Sequence, residues 1–136
     1  MMRLQLALNV QDMDSAVDFY SKMFGVPPRK RKPGYANFAI VEPPLKLVLF
    51  QAQGTRERLN HLGVEVFDDA EVESAAKRIK GSGLRHHLQD DITCCHARQN
   101  KVWAHEPEGL HWEWYRVIED VDTETVDPRD PGCCPT

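Results

Sequence analysis

The chain contains a copy of its own first half. Gln5-Leu6-Ala7-Leu8-Asn9-Val10 superimposes on His61-Leu62-Gly63-Val64-Glu65-Val66 at an offset of 56 residues, and the same offset sets Asp12 on Asp68 and Gly25 on Gly81. One register thus aligns a strand, a helix start and a helix stop. A repeat of this length is one supersecondary unit that buries its apolar face against a neighbour, so the two halves should be matching modules.

Each module opens with alternating apolar residues, Leu4, Leu6, Leu8 and Val10 in the first and Leu62, Val64 and Val66 in the second, the period of a half-buried strand. In the helix that follows, Met13, Ala16, Val17, Tyr20, Met23 and Phe24 form one apolar stripe, with Asp12 or Asp14 as cap and Gly25 as stop. Val72, Ala75, Ala76 and Ile79 repeat the stripe between Asp68 or Asp69 and Gly81. Strand-like runs then cover Tyr35 to Val41, Leu45 to Phe50, Lys101 to Glu106 and Leu110 to Ile118, separated by proline and glycine turns. Arg29-Lys30-Arg31-Lys32 reads as a solvated turn, and Asp90-Asp91-Ile92-Thr93 as loop. The fold class expected is α+β: two βαβββ modules, about 1–53 and 57–118, in one domain over 1–118. An acidic, proline-bearing tail over 119–136 carries too few apolar residues to build a core and is expected to be flexible.

With 136 residues, 41% of them hydrophobic and 28% charged, the chain has the composition of an ordinary soluble domain. The first residues are too soon interrupted by polar side chains to read as a signal-peptide core, so the expected address is the cytoplasm, where thiols stay reduced. A net charge of -4 gives no basic footprint. The expected partner is therefore a small molecule, with no nucleic acid and no membrane, on a monomer or homodimer.

Strand parity says where chemistry would face. If the leucine sides meet the helices, Gln5, Ala7 and Asn9 share the opposite face with His61, Gly63 and Glu65, and Glu113 can join them from the last strand. One nitrogen and two oxygen donors suit a divalent metal, and small Ala7 and Gly63 leave room beside it. Tyr35, Phe38 and Tyr115 are candidates to line a pocket, and Trp112 and Trp114 face a helix. Taken singly, His61 would be a structural histidine and Glu113 a surface carboxylate; matched parity and the repeat favour His61 as a ligand, and Glu113 rests on the repeat together with a family resemblance. His86, His87, His96, His105 and His111 read as other than primary ligands. The adjacent thiols Cys94-Cys95 add two soft donors, which must leave regular strand geometry to act together, with His96 and Arg98 near enough to favour the thiolate. A buried apolar pair or a vicinal disulfide is the alternative. The second pair, Cys133-Cys134, is either incidental or a hook that captures a soft metal.

These residues resemble the vicinal oxygen chelate superfamily of glyoxalases, bleomycin resistance proteins and extradiol dioxygenases, over residues 1 to about 118. More narrowly, Val10 to Phe24, Lys30 to Ala39, Pro43 to Leu49, Leu59 to Val66, and Thr93-Cys94-Cys95 followed by Lys101-Val102-Trp103 resemble its ArsI and CadI branch. The resemblance implies a metal site in a concave sheet, with Gln5, His61 and Glu113 binding Fe(II). It also implies that Cys94 and Cys95 bind arsenic and that O2 is a co-substrate. The implied activity is a dioxygenase cleaving the carbon-arsenic bond of trivalent organoarsenicals, methyl or aromatic, with release of arsenite. The CadI likeness implies an alternative, a non-catalytic protein that binds Cd(II) or As(III). Gln5 departs from the usual two-histidine pattern, and Lys46-Leu47-Val48-Leu49 offers no carboxylate, which argues against glyoxalase chemistry.

Overall fold

The computed structural model describes residues 1–94 and 96–120. Among the described residues are eight strands and two helices: β1 (Met2–Val10), α1 (Met13–Phe24), β2 (Lys30–Lys32), β3 (Tyr35–Ile40), β4 (Leu45–Gln51), β5 (Leu59–Val66), α2 (Asp69–Gly81), β6 (His86–Cys94), β7 (Ala97–His105) and β8 (His111–Asp120). The order is βαβββ twice, as the repeat requires. Among the described residues the chain divides into two compact units, one spanning Arg3–Leu62 and the other Met1–Met2 with residues 63–120.

In the first unit the strands lie in the order β2-β3-β4-β1, with the start of β5 beyond β1. β1 runs parallel to β4, Gln5 opposite Lys46 and Ala7 opposite Val48, so α1 serves as the crossover that a parallel pair needs. Helix α1 starts on Asp12, whose carboxylate accepts the Ser15 N–H, and stops on Gly25 at φ 71°. Its Met13 and Val17 pack with Val10, Ala36, Phe38, Ile40, Leu47 and Leu49, and the half-buried Leu6 and Leu8 join them. The leucine face of β1 thus meets the helix. Phe38 belongs to this packed layer and not to a pocket wall, which corrects its sequence reading: on β3 it alternates with Tyr35 and Asn37, which face the other way.

In the second unit β8, β7 and β6 are antiparallel neighbours. Ala75 and Ile79 of α2 pack on Val102 and the half-buried Trp114, and the Arg78 guanidinium lies 4.8 Å from the centre of the Trp114 ring. Here the repeat slips. Gly81 is the last helical residue, Ser82 caps the helix, and Gly83 takes the left-handed conformation at φ 71°.

Three further expectations shift. Lys30–Lys32 form an edge strand on β3 rather than a free turn. Residues 90–93 lie within β6, where a register irregularity between Gln89 and Ile92, with Asp91 at φ 49°, bends the strand. β8 runs through Asp120, past the expected boundary at 118. Cys95, Cys133, Cys134 and the tail from 121 lie outside the described residues. No helix of the described residues is long and apolar enough to cross a membrane.

Candidate active site

In the first unit Gln5, Ala7, Asn9, Tyr35, Asn37, Val48, Phe50 and His61 are all buried on strand faces turned away from the α1 layer. Gln5 and His61 meet there: Gln5 Nε2 lies 3.2 Å from His61 Nε2. The other ring nitrogen, Nδ1, lies 2.8 Å from Asn60 Oδ1, a carbonyl that can only accept. That bond places the proton on Nδ1 and leaves the Nε2 lone pair toward Gln5, the outer-shell device that orients metal-binding histidines. Asn60 is fixed in turn by donating to Asn9 Oδ1 at 3.0 Å, and Asn9 Nδ2 donates to the Glu57 carbonyl at 2.9 Å. Sequence reasoning missed this asparagine relay, although Asn9 and Asn60 flank the repeat's aligned strands.

The donor pair fits a divalent ion. Two ligand atoms about 2.1 Å from one centre stand about 3.0 Å apart when cis on an octahedron and about 3.4 Å on a tetrahedron. The observed 3.2 Å is the hydrogen bond from the Gln5 amide nitrogen to His61 Nε2, so the two side chains already stand within the span that one ion would need. Rotation about the terminal torsion of Gln5 exchanges its amide nitrogen for its oxygen at this position. Phe50 lies 6.3 Å from the His61 ring and Tyr35 5.6 Å from Phe50, so an aromatic wall stands beside the pair.

In the second unit Glu113 and Tyr115 are buried on one face of β8, while Trp112 and Trp114 alternate to the other. Glu113 stands opposite Trp103, and Tyr115 opposite Lys101. Lys101 Nζ donates to Glu113 Oε2 at 3.1 Å. Glu65, placed by parity on the His61 side of β5, is also buried. Among the described residues no three His, Cys, Asp or Glu side chains gather as a metal-binding group; the structure brings together Gln5 with His61, and Glu113 with Lys101.

Cys94 is the last residue of β6 and pairs with Ala97 across the connection to β7, in which His96 adopts φ 66°. Residue 94 therefore stands where regular pairing ends. Arg98, expected to assist the thiols, is engaged by Asp91 and Glu119, each at 2.6 Å.

A row of imidazoles also went unread. His87 Nδ1 lies 2.8 Å from His105 Nε2, and His105 Nδ1 lies 2.8 Å from His111 Nδ1. Burial, then the neighbouring charges of His87, His111, Arg85 and His86, hold His105 below its ordinary value. Because the folded value is depressed, this stabilisation is complete above the unfolded imidazole value of about 6.5 and is lost as pH falls through the folded one. An NMR titration should show His105 protonating below the ordinary imidazole value of about 6.5, with stability falling from pH 6.5 downward. A His105 midpoint at or above 6.5 would contradict it.

Residues 4–114 match the Glyoxalase/Bleomycin resistance protein/Dioxygenase superfamily. The chain is 53% identical over 135 residues to a trivalent organoarsenical cleaving enzyme of Thermomonospora curvata, covering 98% of this chain and 89% of that one. It is 50% identical over 129 residues to the cadmium-induced protein CadI of Mycobacterium bovis, covering 95% and 85%. Among solved structures, the Mn(II)-bound glyoxalase of Novosphingobium aromaticivorans shares the fold at a TM-score of 0.64 and 15% identity, over 94% of this chain and 44% of that one. With its two βαβββ modules and these relatives, the chain belongs to the glyoxalase, bleomycin resistance protein and dioxygenase superfamily, in the group that holds the organoarsenical cleaving enzymes and CadI.

Proposed function

We propose that this protein is an Fe(II)-dependent dioxygenase that cleaves the carbon-arsenic bond of trivalent organoarsenicals, methylarsenite and aromatic species among them, and releases arsenite. The observation that carries the reading is the Gln5–His61 donor pair, held 3.2 Å apart and oriented from behind by Asn60. The substrate class comes from the 53% identical relative named for cleaving trivalent organoarsenicals.

Gln5, His61 and Glu113 would hold the metal, a set of one nitrogen and two oxygen donors that leaves coordination positions open. Iron, when bound, supplies the one-electron chemistry that dioxygen needs to react at neutral pH. The thiols of Cys94 and Cys95 would hold the substrate. A monoorganic As(III) keeps one bond to carbon and two exchangeable hydroxyls; two thiols replace those hydroxyls, releasing two waters, and leave the arsenic-carbon bond free to react. Cys133 and Cys134 would capture the arsenical first. The Phe50 ring beside His61, with Tyr35 against it, forms an aromatic wall that would keep water from that side. The 50% identity to CadI favours a second reading, binding of Cd(II) or As(III) without turnover.

Anaerobic loading with Fe(II), then addition of oxygen and methylarsenite with arsenic speciation, separates the two. Arsenite from the intact protein, and none from Cys94→Ser, is the expected result. Tight methylarsenite binding without arsenite, at one bound Fe(II), would assign the protein to sequestration.

A further inference from the structure

Lys101 is one of the largest fully buried side chains, at 2% exposure, on an element whose neighbouring faces are aromatic. Its ammonium lies 3.1 Å from Glu113 Oε2, 5.3 Å from the centre of the Trp103 ring and 5.7 Å from that of Tyr115. Taking an ammonium out of water is costly unless a carboxylate and π-faces meet it, and the buried Glu113 carboxylate in turn would be costly without a positive charge beside it. The charge of this side chain, more than its hydrogen bond, is therefore what Glu113 needs from it.

We propose that Lys101 is a positioning residue, the resident counter-cation of Glu113, which yields the carboxylate to an incoming divalent ion. The inference rests on the reading of Glu113 as a metal ligand. A lysine suits such an exchange: it is a compact point charge on four rotatable carbons, whereas an arginine fork would grip the carboxylate in a fixed geometry. Buried as the pair is, salt screens it little, so a small mobile cation does not compete and a divalent one does. Lys101 thus holds the carboxylate in place and weakens the site for metal at once, because the ion must displace one positive charge and then sit near it.

The measurement is Co(II) affinity by anaerobic calorimetry on wild type, Lys101→Met, Lys101→Arg and Glu113→Gln. Lys101→Met, which keeps the stem and drops the charge, should bind Co(II) about tenfold tighter or more. Lys101→Arg should stay within about threefold of wild type. Equal or weaker binding by Lys101→Met would overturn the exchange. Glu113→Gln marks the other failure: if it binds Co(II) as tightly as wild type, Glu113 is not a ligand and the metal assignment itself falls.

Should Lys101→Met fail to fold, the wild type answers, with Lys101→Arg used only for assignment. A ¹⁵N–¹H spectrum of the lysine ammonium groups, with the Lys101 signal identified by its loss in Lys101→Arg, is followed as Zn(II) is added. A shift of that signal in step with the first equivalent supports the exchange; an unmoved signal with one Zn(II) bound refutes it.

Discussion

Replacing His61 with alanine is expected to leave the protein folded and unable to retain a divalent metal after gel filtration, with arsenite release lost in parallel. His61 brings the one nitrogen donor of the proposed set, and its ring is already committed: Nδ1 to Asn60, Nε2 toward Gln5. No other imidazole is poised to replace it in that unit, where His61 is the single histidine. Asn60→Ala should act through orientation alone, lowering metal affinity about 10–100-fold as outer-shell losses do, and His61→Ala should exceed that. Metal content by elemental analysis decides the matter. A His61→Ala protein that keeps a full equivalent of iron would remove Gln5 and His61 from the metal site.

Glu113→Ala should lower stability by about 3–5 kcal/mol in the presence of a chelator, because it leaves the Lys101 ammonium buried without its carboxylate. The side chains are 2% and 5% exposed, so the small value typical of surface ion pairs does not apply. The asymmetry is the informative part. Adding Lys101→Met to Glu113→Ala should recover most of the loss, since a buried pair exchanged for apolar groups is often neutral. Denaturant unfolding of the two single variants and the double one measures the coupling. A loss under about 1 kcal/mol for Glu113→Ala would mean that water reaches the pair.

Much of this architecture was legible because the first strand of each module carries a two-residue period and each helix carries a stripe. Parity placed Gln5, Ala7 and Asn9 opposite Leu6 and Leu8, and the structure buries the first set while packing the second on α1. What escaped detection lacked an apolar period. Lys30–Lys32 is a short charged edge strand, and β6 interrupts its own alternation at the Gln89/Ile92 irregularity. The helix stop was displaced because Gly81 and Gly83 both suit it, and only backbone geometry distinguishes them. Lys101 was overlooked for a different reason: a strand lysine ordinarily faces water. Its parity with Trp103, and through the register with Glu113, held the clue. Phe38 shares its parity with Ala36 and Ile40, and that parity, rather than its aromatic ring, decides that it packs under α1 and not in a pocket wall.

The parallel pairing of β1 with β4 also sets a schedule. β1 lies between β4 and the start of β5, and both are made after it. Leu4 pairs opposite Leu45, so the first strand to leave the ribosome must wait for the intervening α1, β2 and β3 to be synthesised before its hydrogen bonds close. At about 5–20 residues per second that delay lasts seconds, long compared with the microseconds in which a helix such as α1 forms. The strand bearing Gln5 therefore spends its earliest life without either neighbour, and it is there that a nascent chain of this protein would most need shielding.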